Sequence, residues 1–159
     1  MKPLSAATVR VPSDPVKLAY LAGLIDGEGC IGIAATFDKR SSRSRAYFGR
    51  LYVSNTDIRL MAWLQEHCGG RVNAMPRKSQ PTWKTGYKWE LQGANAELVL
   101  RATLPYLVLK RRQAETLLEL RELQAVLVTR TPSADQAARK EALKQRIHLL
   151  NRKGAAPAA

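Results

Sequence analysis

The stretch "LAYLAGLIDGEGCIGI", Leu18 to Ile33, joins a helix to a strand across two acidic residues. Apolar residues recur at Leu18, Leu21, Ala22 and Ile25, Ser13 or Asp14 can cap, and Pro15 suits a first turn. This predicts a helix that Gly27 and Gly29 bring to an end. From Cys30 to Asp38 the period changes to two, with Ile31, Ile33, Ala35 and Phe37 on one face and Gly32, Ala34, Thr36 and Asp38 on the other. That alternation predicts a half-buried strand. Asp26 and Glu28 therefore stand at the negative end of a helix dipole, where carboxylates are disfavoured. Ala19, Gly23 and Gly27 share one stripe of the helix and leave it almost without side chains. Helix termination accounts for Gly27 and Gly29 but not for Gly23, which costs about 1 kcal/mol against alanine in a helix interior. The stripe predicts close approach of another helix. If that helix belongs to a second copy, a two-fold axis sets Glu28 beside its own copy, an arrangement that calls for a cation. A hard ion such as Mg²⁺ takes carboxylate and carbonyl oxygens, and Gly27 leaves its carbonyl accessible. Metal ions beside a basic face are a recurring apparatus for phosphodiester cleavage.

Outward from this stretch, the 159 residues suffice for one domain with its own core. Residues 1–12 read as an N-terminal arm without periodicity, 13–152 as a single domain and 153–159 as a disordered tail. Lys and Arg number 26 against 13 Asp and Glu, a formal charge of +13 with a sequence pI of about 10.3, which points to a polyanionic partner. Nucleic acid fits that charge better than a membrane, because no basic amphipathic helix, lipidation signal or membrane-length apolar run is apparent. No secretory signal is evident, so an intracellular setting is expected, in the cytoplasm or an organelle such as a chloroplast or mitochondrion. Cys30 and Cys68 have no metal-ligand spacing with His67 and His148 and read as reduced thiols. A small basic structural protein, such as a ribosomal component, would explain the charge and none of the motif.

Further along, "AYFGRLYVSN" alternates with Tyr47, Leu51 and Val53 inward and Phe48, Arg50, Tyr52 and Ser54 outward. A helix is expected from about Asp57 to Cys68, ending at Gly69-Gly70. A second strand pair follows, Arg71 to Met75 and Thr85 to Gln92, with Val72, Tyr87, Trp89 and Leu91 as its inward set. The rest reads as helical: one helix from Asn95 or Ala96 to before Pro105, a longer one after Lys110, and a last one from a Ser133/Gln136 capping box to about Asn151.

"LAGLIDGEG", Leu21 to Gly29, closely resembles the signature of the LAGLIDADG homing endonucleases, and the order of elements is similar to that family's αββαββα core. The resemblance implies an α+β fold, the αββαββα LAGLIDADG homing-endonuclease fold with additional C-terminal helices. A single copy of the motif implies a homodimer, with Ala19, Gly23 and Gly27 at the interface. Glu28 matches the acid that binds the catalytic metal, Gly27 the neighbour that lends its carbonyl, and Asp26 the acid that supports the helix junction from behind. "VSNTDIRL" resembles the segment after the second strand and places Asn55, where the family more commonly has glutamine, and Arg59 near the scissile phosphate. "LPYLVLKRRQA" matches the segment ending in the active-site lysine, here Lys110. On residues alone, Arg59 and Lys110 also read as solvated helix-surface cations. The implied cofactor is Mg²⁺, with Mn²⁺ or Ca²⁺ able to occupy the site.

A twisted antiparallel ribbon fits the major groove, where Arg reads guanine and Asn or Gln reads adenine. The candidate DNA contacts are Thr36, Asp38, Lys39, Arg40, Arg43, Arg45, Phe48, Arg50, Tyr52, Arg71, Asn73, Arg77, Lys78, Lys84, Lys88 and Glu90, the loop residues being suited to phosphate rather than bases. Trp89 alternates with the core set and is expected to pack. The resemblance thus implies a Mg²⁺-dependent endonuclease making a staggered double-strand break in a long pseudo-palindromic DNA site, intron-encoded because no splicing-domain signature accompanies the motif. The alternative is a cleavage-deficient relative that acts as an RNA maturase on intron RNA or as a DNA-binding regulator.

Overall fold

The computed structural model describes residues 4–37, 45–76, 84–126 and 133–152. Helix α1 spans Pro15–Glu28. Asp14 caps it, its carboxylate accepting from the Val16 N–H at 2.9 Å, and Pro15 occupies the first turn as the sequence predicts. Leu21, Ala22 and Ile25 are buried. The helix runs on through Gly27, and strand β2, Gly29–Phe37, begins at the next residue after Glu28. A Cβ on Gly29 would lie 2.5 Å from the Ile25 carbonyl oxygen, so only glycine lets the strand leave the helix without a loop.

β3 (Arg45–Asn55) pairs antiparallel with β2, α2 spans Ile58–Cys68, and β4 (Gly70–Met75) and β5 (Gly86–Gln92) form the second antiparallel pair. Register Ile31↔Leu51↔Leu91 and Val53↔Trp89↔Val72 lines the inward residues into rows across the sheet. These rows are buried, as the alternation predicts, and helices pack over them. Trp89 is fully buried and donates its indole N–H to the Gly69 carbonyl at 2.8 Å, so it is a core residue as expected. Gly69, at φ 70°, turns α2 into β4, and a Cβ there would sit 2.1 Å from the Thr8 carbonyl oxygen.

α3 (Ala94–Thr103), a 3-10 turn (Leu104–Tyr106), α4 (Arg111–Ala125) and α5 (Ala134–Leu150) complete the chain. The Ser133/Gln136 capping box is formed, with reciprocal bonds of 2.9 and 3.3 Å. α5 packs on α4 and β2, and the Asn151 amide donates to the Ile31 carbonyl at 2.8 Å. From α1 onward the α+β order predicted from periodicity is therefore the observed one.

The expected arm is the main departure. Leu4–Ala7 form a strand, β1, antiparallel to β4, so the sheet has five strands in the order β1-β4-β5-β3-β2. Four residues are too few for a period to show, and backbone pairing with an existing edge needs no side-chain pattern. Just beyond, the Arg10 N–H donates to the Cys68 carbonyl at 3.1 Å and its guanidinium to the Glu66 carbonyl, strapping the segment onto the end of α2. The expected tail, 153–159, lies outside the described residues. No helix among them is long and apolar enough to cross a membrane.

Candidate active site and DNA face

The two acids at the end of α1 have different surroundings. Asp26 is half-buried, and both its oxygens are taken: Oδ2 accepts from the Val108 N–H at 2.8 Å and Oδ1 from the Lys110 N–H at 2.9 Å. The Lys110 ammonium turns back on the same helix end, donating to the Ile25 carbonyl at 3.0 Å and to the Asp26 carbonyl. A cation thus caps the last turn, adding to the bond that the Ile25 carbonyl accepts from the Gly29 N–H, and offsets the dipole. Burial pushes the Lys110 ammonium below its usual pKa range, and the nearby Asp26, Cys30 and Glu28 oppose that shift. Glu28 is exposed and makes no hydrogen bond or ion pair with any described residue.

Asp26, Gly27, Glu28 and Lys110 are thereby brought together. Asn55 lies two residues beyond the Gly29–Val53 pair, which places it within about 7 Å of the start of β2 along the strand direction. Its Oδ1 accepts from the Asp57 N–H at 2.9 Å, making the turn into α2. Arg59 is not drawn to the others. Its side chain is 89% exposed and forks onto Asp57, with a closest contact of 2.6 Å, and these bonds hold the Asp57 carboxyl down to about 2.

The donor set suits a hard divalent cation rather than a soft one: one free carboxylate and the Gly27 carbonyl, with no sulfur or imidazole beside them except Cys30. Among the described residues no three His, Cys, Asp or Glu side chains form a group able to hold a metal. One chain alone therefore supplies an open, partial set. Mg²⁺ tolerates this, being held commonly by one or two carboxylates with phosphate and water completing the shell.

The stripe Ala19, Gly23 and Gly27 is exposed, and a Cβ on either glycine would meet nothing within 4 Å in this chain. Val16 and Tyr20 beside it are 75% and 50% exposed. Val108 and Leu109, held against the end of α1 through Asp26, are 80% and 72% exposed. An apolar surface with a cleared centre thus runs the length of α1.

On the sheet face opposite the helices, register places Cys30, Tyr52, Glu90 and Arg71 in one cross-strand row, and Gly32, Arg50 and Gln92 in the next. Thr36, Phe48, Asn73 and Lys88 lie on this same face. Lys88 pairs with Glu90 at 3.0 Å and lies 5.5 Å from the centre of the Tyr52 ring. Burial opposes the ionisation of Glu90, but hydrogen bonds from Lys88 and Gln92 outweigh it and bring its pKa below the usual value. Lys84 is exposed just ahead of β5.

Arg45 is a correction to the expected DNA set. It pairs with Phe37 on the helix-covered face, stacks over that ring at 5.0 Å and reaches Glu141 of α5 at 3.6 Å. The strand begins at Arg45 itself, so the residue obeys the alternation of Tyr47 instead of the freedom of a loop. Asp38, Lys39, Arg40, Arg43, Arg77 and Lys78 lie outside the described residues. Gln92 is exposed on this outward face and is not among the expected contacts, although the period-two count from Lys88 through Glu90 reaches it.

No protein-family model matches the chain, and no curated protein does. Solved structures do. The homing endonuclease I-CvuI in complex with its target in the presence of Ca superposes with a TM-score of 0.70 at 22% identity, covering 89% of this chain and 87% of that one. The archaeal intron-encoded homing endonuclease I-Vdi141I complexed with DNA gives 0.68 at 16% identity, covering 91% and 89%. The I-LtrWI LAGLIDADG homing endonuclease bound to target DNA gives 0.62 at 18% identity, covering 90% of this chain and 48% of that longer one. With one copy of the motif helix at its centre, the chain has the fold of the LAGLIDADG homing endonucleases.

Proposed function

We propose that this protein is a homodimeric, divalent-metal-dependent DNA endonuclease that cuts both strands of a long pseudo-palindromic site, and that it is intron-encoded. The observation that carries the reading is the end of α1, where the Glu28 carboxylate is left free while the Lys110 ammonium and the Asp26 clamp hold that end rigid. Mg²⁺, when bound, supplies the Lewis acidity that activates water and steadies the leaving oxygen. Glu28 and the Gly27 carbonyl hold it; Lys110 offsets charge developing on the phosphate. Asn55, two residues past the Gly29–Val53 pair at the end of β3, is assigned the ordering of water at this end of the site. Arg59 joins the phosphate once it exchanges Asp57 for the DNA, an exposed ion pair being weak and screened by salt. The basic outward face of the sheet tracks the duplex, and the α1 stripe brings a second copy whose Glu28 completes the donor set.

The pairing of Arg59 with Asp57 equally suits a relative that binds without cutting, a maturase or regulator. A cleavage assay on a randomised duplex library with Mg²⁺, comparing wild type with Glu28→Gln, separates the two. Cutting by wild type alone is expected. Equal cutting by both proteins refutes the assignment of Glu28, and binding without cutting by wild type favours the second reading.

A further inference from the structure

The fifth strand does more than lengthen the sheet. Leu4 pairs with Val72 and Ala7 with Gly70, so two residues of β1, Ser5 and Ala6, oppose the single residue Arg71. This is a β-bulge, which leaves an extra backbone N–H out of the ladder and re-aims the chain around it. Arg71 is exposed on the outward face and makes no hydrogen bond or ion pair with any described residue. Its neighbour in the row, Glu90, is already matched by Lys88. A guanidinium without a partner among the described residues therefore lies on the strand opposite the bulge, in a chain of net charge +13.

The width of the sheet decides what lies opposite. At a strand spacing of about 4.8 Å, four strands span about 14 Å between outer axes and five span about 19 Å. The major groove is about 12 Å wide. Four strands are already as wide as the groove, so β1 falls over the phosphodiester ridge that borders it. A β-bulge beside an arginine offers a phosphate both backbone N–H donors and a charge-assisted fork.

We infer that the β1 bulge and Arg71 form a phosphate clamp on the ridge flanking the recognised groove, an anchor that holds the duplex without reading its sequence. The inference rests on the DNA-binding reading above. A partner of another kind, such as a second copy adding a strand to the free edge of β1, would leave the Arg71 charge uncompensated.

The test uses the whole chain, Arg71→Gln, a variant lacking residues 2–7, and the two combined, each titrated with a random-sequence 40-base-pair duplex across a salt series. The truncation leaves Arg10, whose N–H and guanidinium donate to the Cys68 and Glu66 carbonyls at the end of α2. Arg71→Gln is expected to lower the slope of log K against log salt by about 0.9, the value for one phosphate. The truncation is expected to weaken binding roughly five- to tenfold, a loss of one or two net hydrogen bonds, and the double variant to lose less than the product of the two. Ethylation interference on the unmodified protein is expected to mark a phosphate at each outer flank that ceases to matter in Arg71→Gln; this needs no truncated chain to fold. Unchanged affinity in the truncation, multiplicative losses, or no such phosphate overturns the clamp while leaving DNA binding intact. Failure of the unmodified chain to bind any duplex refutes the functional reading itself.

Discussion

Replacing Asp26 by alanine removes two hydrogen bonds at once, those to the Val108 and Lys110 N–H groups at 2.8 and 2.9 Å. A bond to a charged group contributes about 1.5–3 kcal/mol. Val108 is 80% exposed, so water replaces part of its bond, whereas the Lys110 bond is half-buried. The expected loss is about 2–4 kcal/mol, or about 5–15 °C in Tm for a chain of this size. Asp26→Asn keeps one acceptor oxygen but turns an NH₂ group toward the other N–H, and is expected to lose about half as much. Urea melts at fixed protein concentration give the free energies, and amide exchange at Val108 and Lys110 localises them. The loop is expected to lose protection before the sheet does, and, on the proposed function, cleavage to fall with it as Lys110 drifts from the helix end. A loss below about 0.5 kcal/mol, the range of an ordinary surface substitution, refutes the clamp. So does a large loss with protection at Lys110 unchanged.

Three further outcomes are expected. Hydrogen bonds from Tyr47, at 2.6 Å, and from Gln145 hold the Glu141 carboxyl down to about 2 from an ordinary 4.5, so its contribution to stability is complete above pH 4.5 and lost as pH falls through about 2. Glu141→Gln is therefore expected to flatten the acid limb of the stability curve in that window, and an unchanged limb argues against the Tyr47 bond. Burial pushes the Cys68 thiol up to about 11, while Cys30 is half-buried. Labelling with a thiol-disulfide reagent is expected to count one thiol in the folded protein and two in urea, and none in folded Cys30→Ser; rapid labelling of Cys68 contradicts this packing. Gly23→Leu meets open space within one chain and gains up to about 1 kcal/mol of helix propensity. It is expected to sediment as a monomer that melts no lower than a monomeric reference; a persistent dimer removes α1 from the interface.

What the sequence made legible follows from how each feature is encoded. Strands β2, β3 and β5 carry one buried row each, so alternation reveals them and their outward faces together. α1 and α5 announce their starts through Asp14 and the Ser133/Gln136 box, because caps are local chemistry. β1 has no such signal; it exists through the edge that β4 offers it. Arg45 was misplaced for a related reason: the boundary between loop and strand falls at that residue, and a shift of one position exchanges faces. Glu28 and Gly27 stand out from their place at the helix end and Lys110 only through the motif resemblance; no spacing foretells that Lys110 lies 84 residues from the carboxylate its N–H donates to.

At the end of a helix both carboxylates face the same unfavourable dipole, and only the motif resemblance assigns them different roles, Glu28 to the metal and Asp26 to the helix junction. The structure adds what Asp26 is bonded to. Two backbone N–H groups from the segment before α4 take Asp26, and that segment also delivers the ammonium that closes the helix. Glu28 is left without a hydrogen bond or ion pair among the described residues, and the Lys110 ammonium acts on it only through space. On the proposed reading, this exposed carboxylate is the group that a hard cation would take up, while Asp26 and Lys110 hold the helix end beside it.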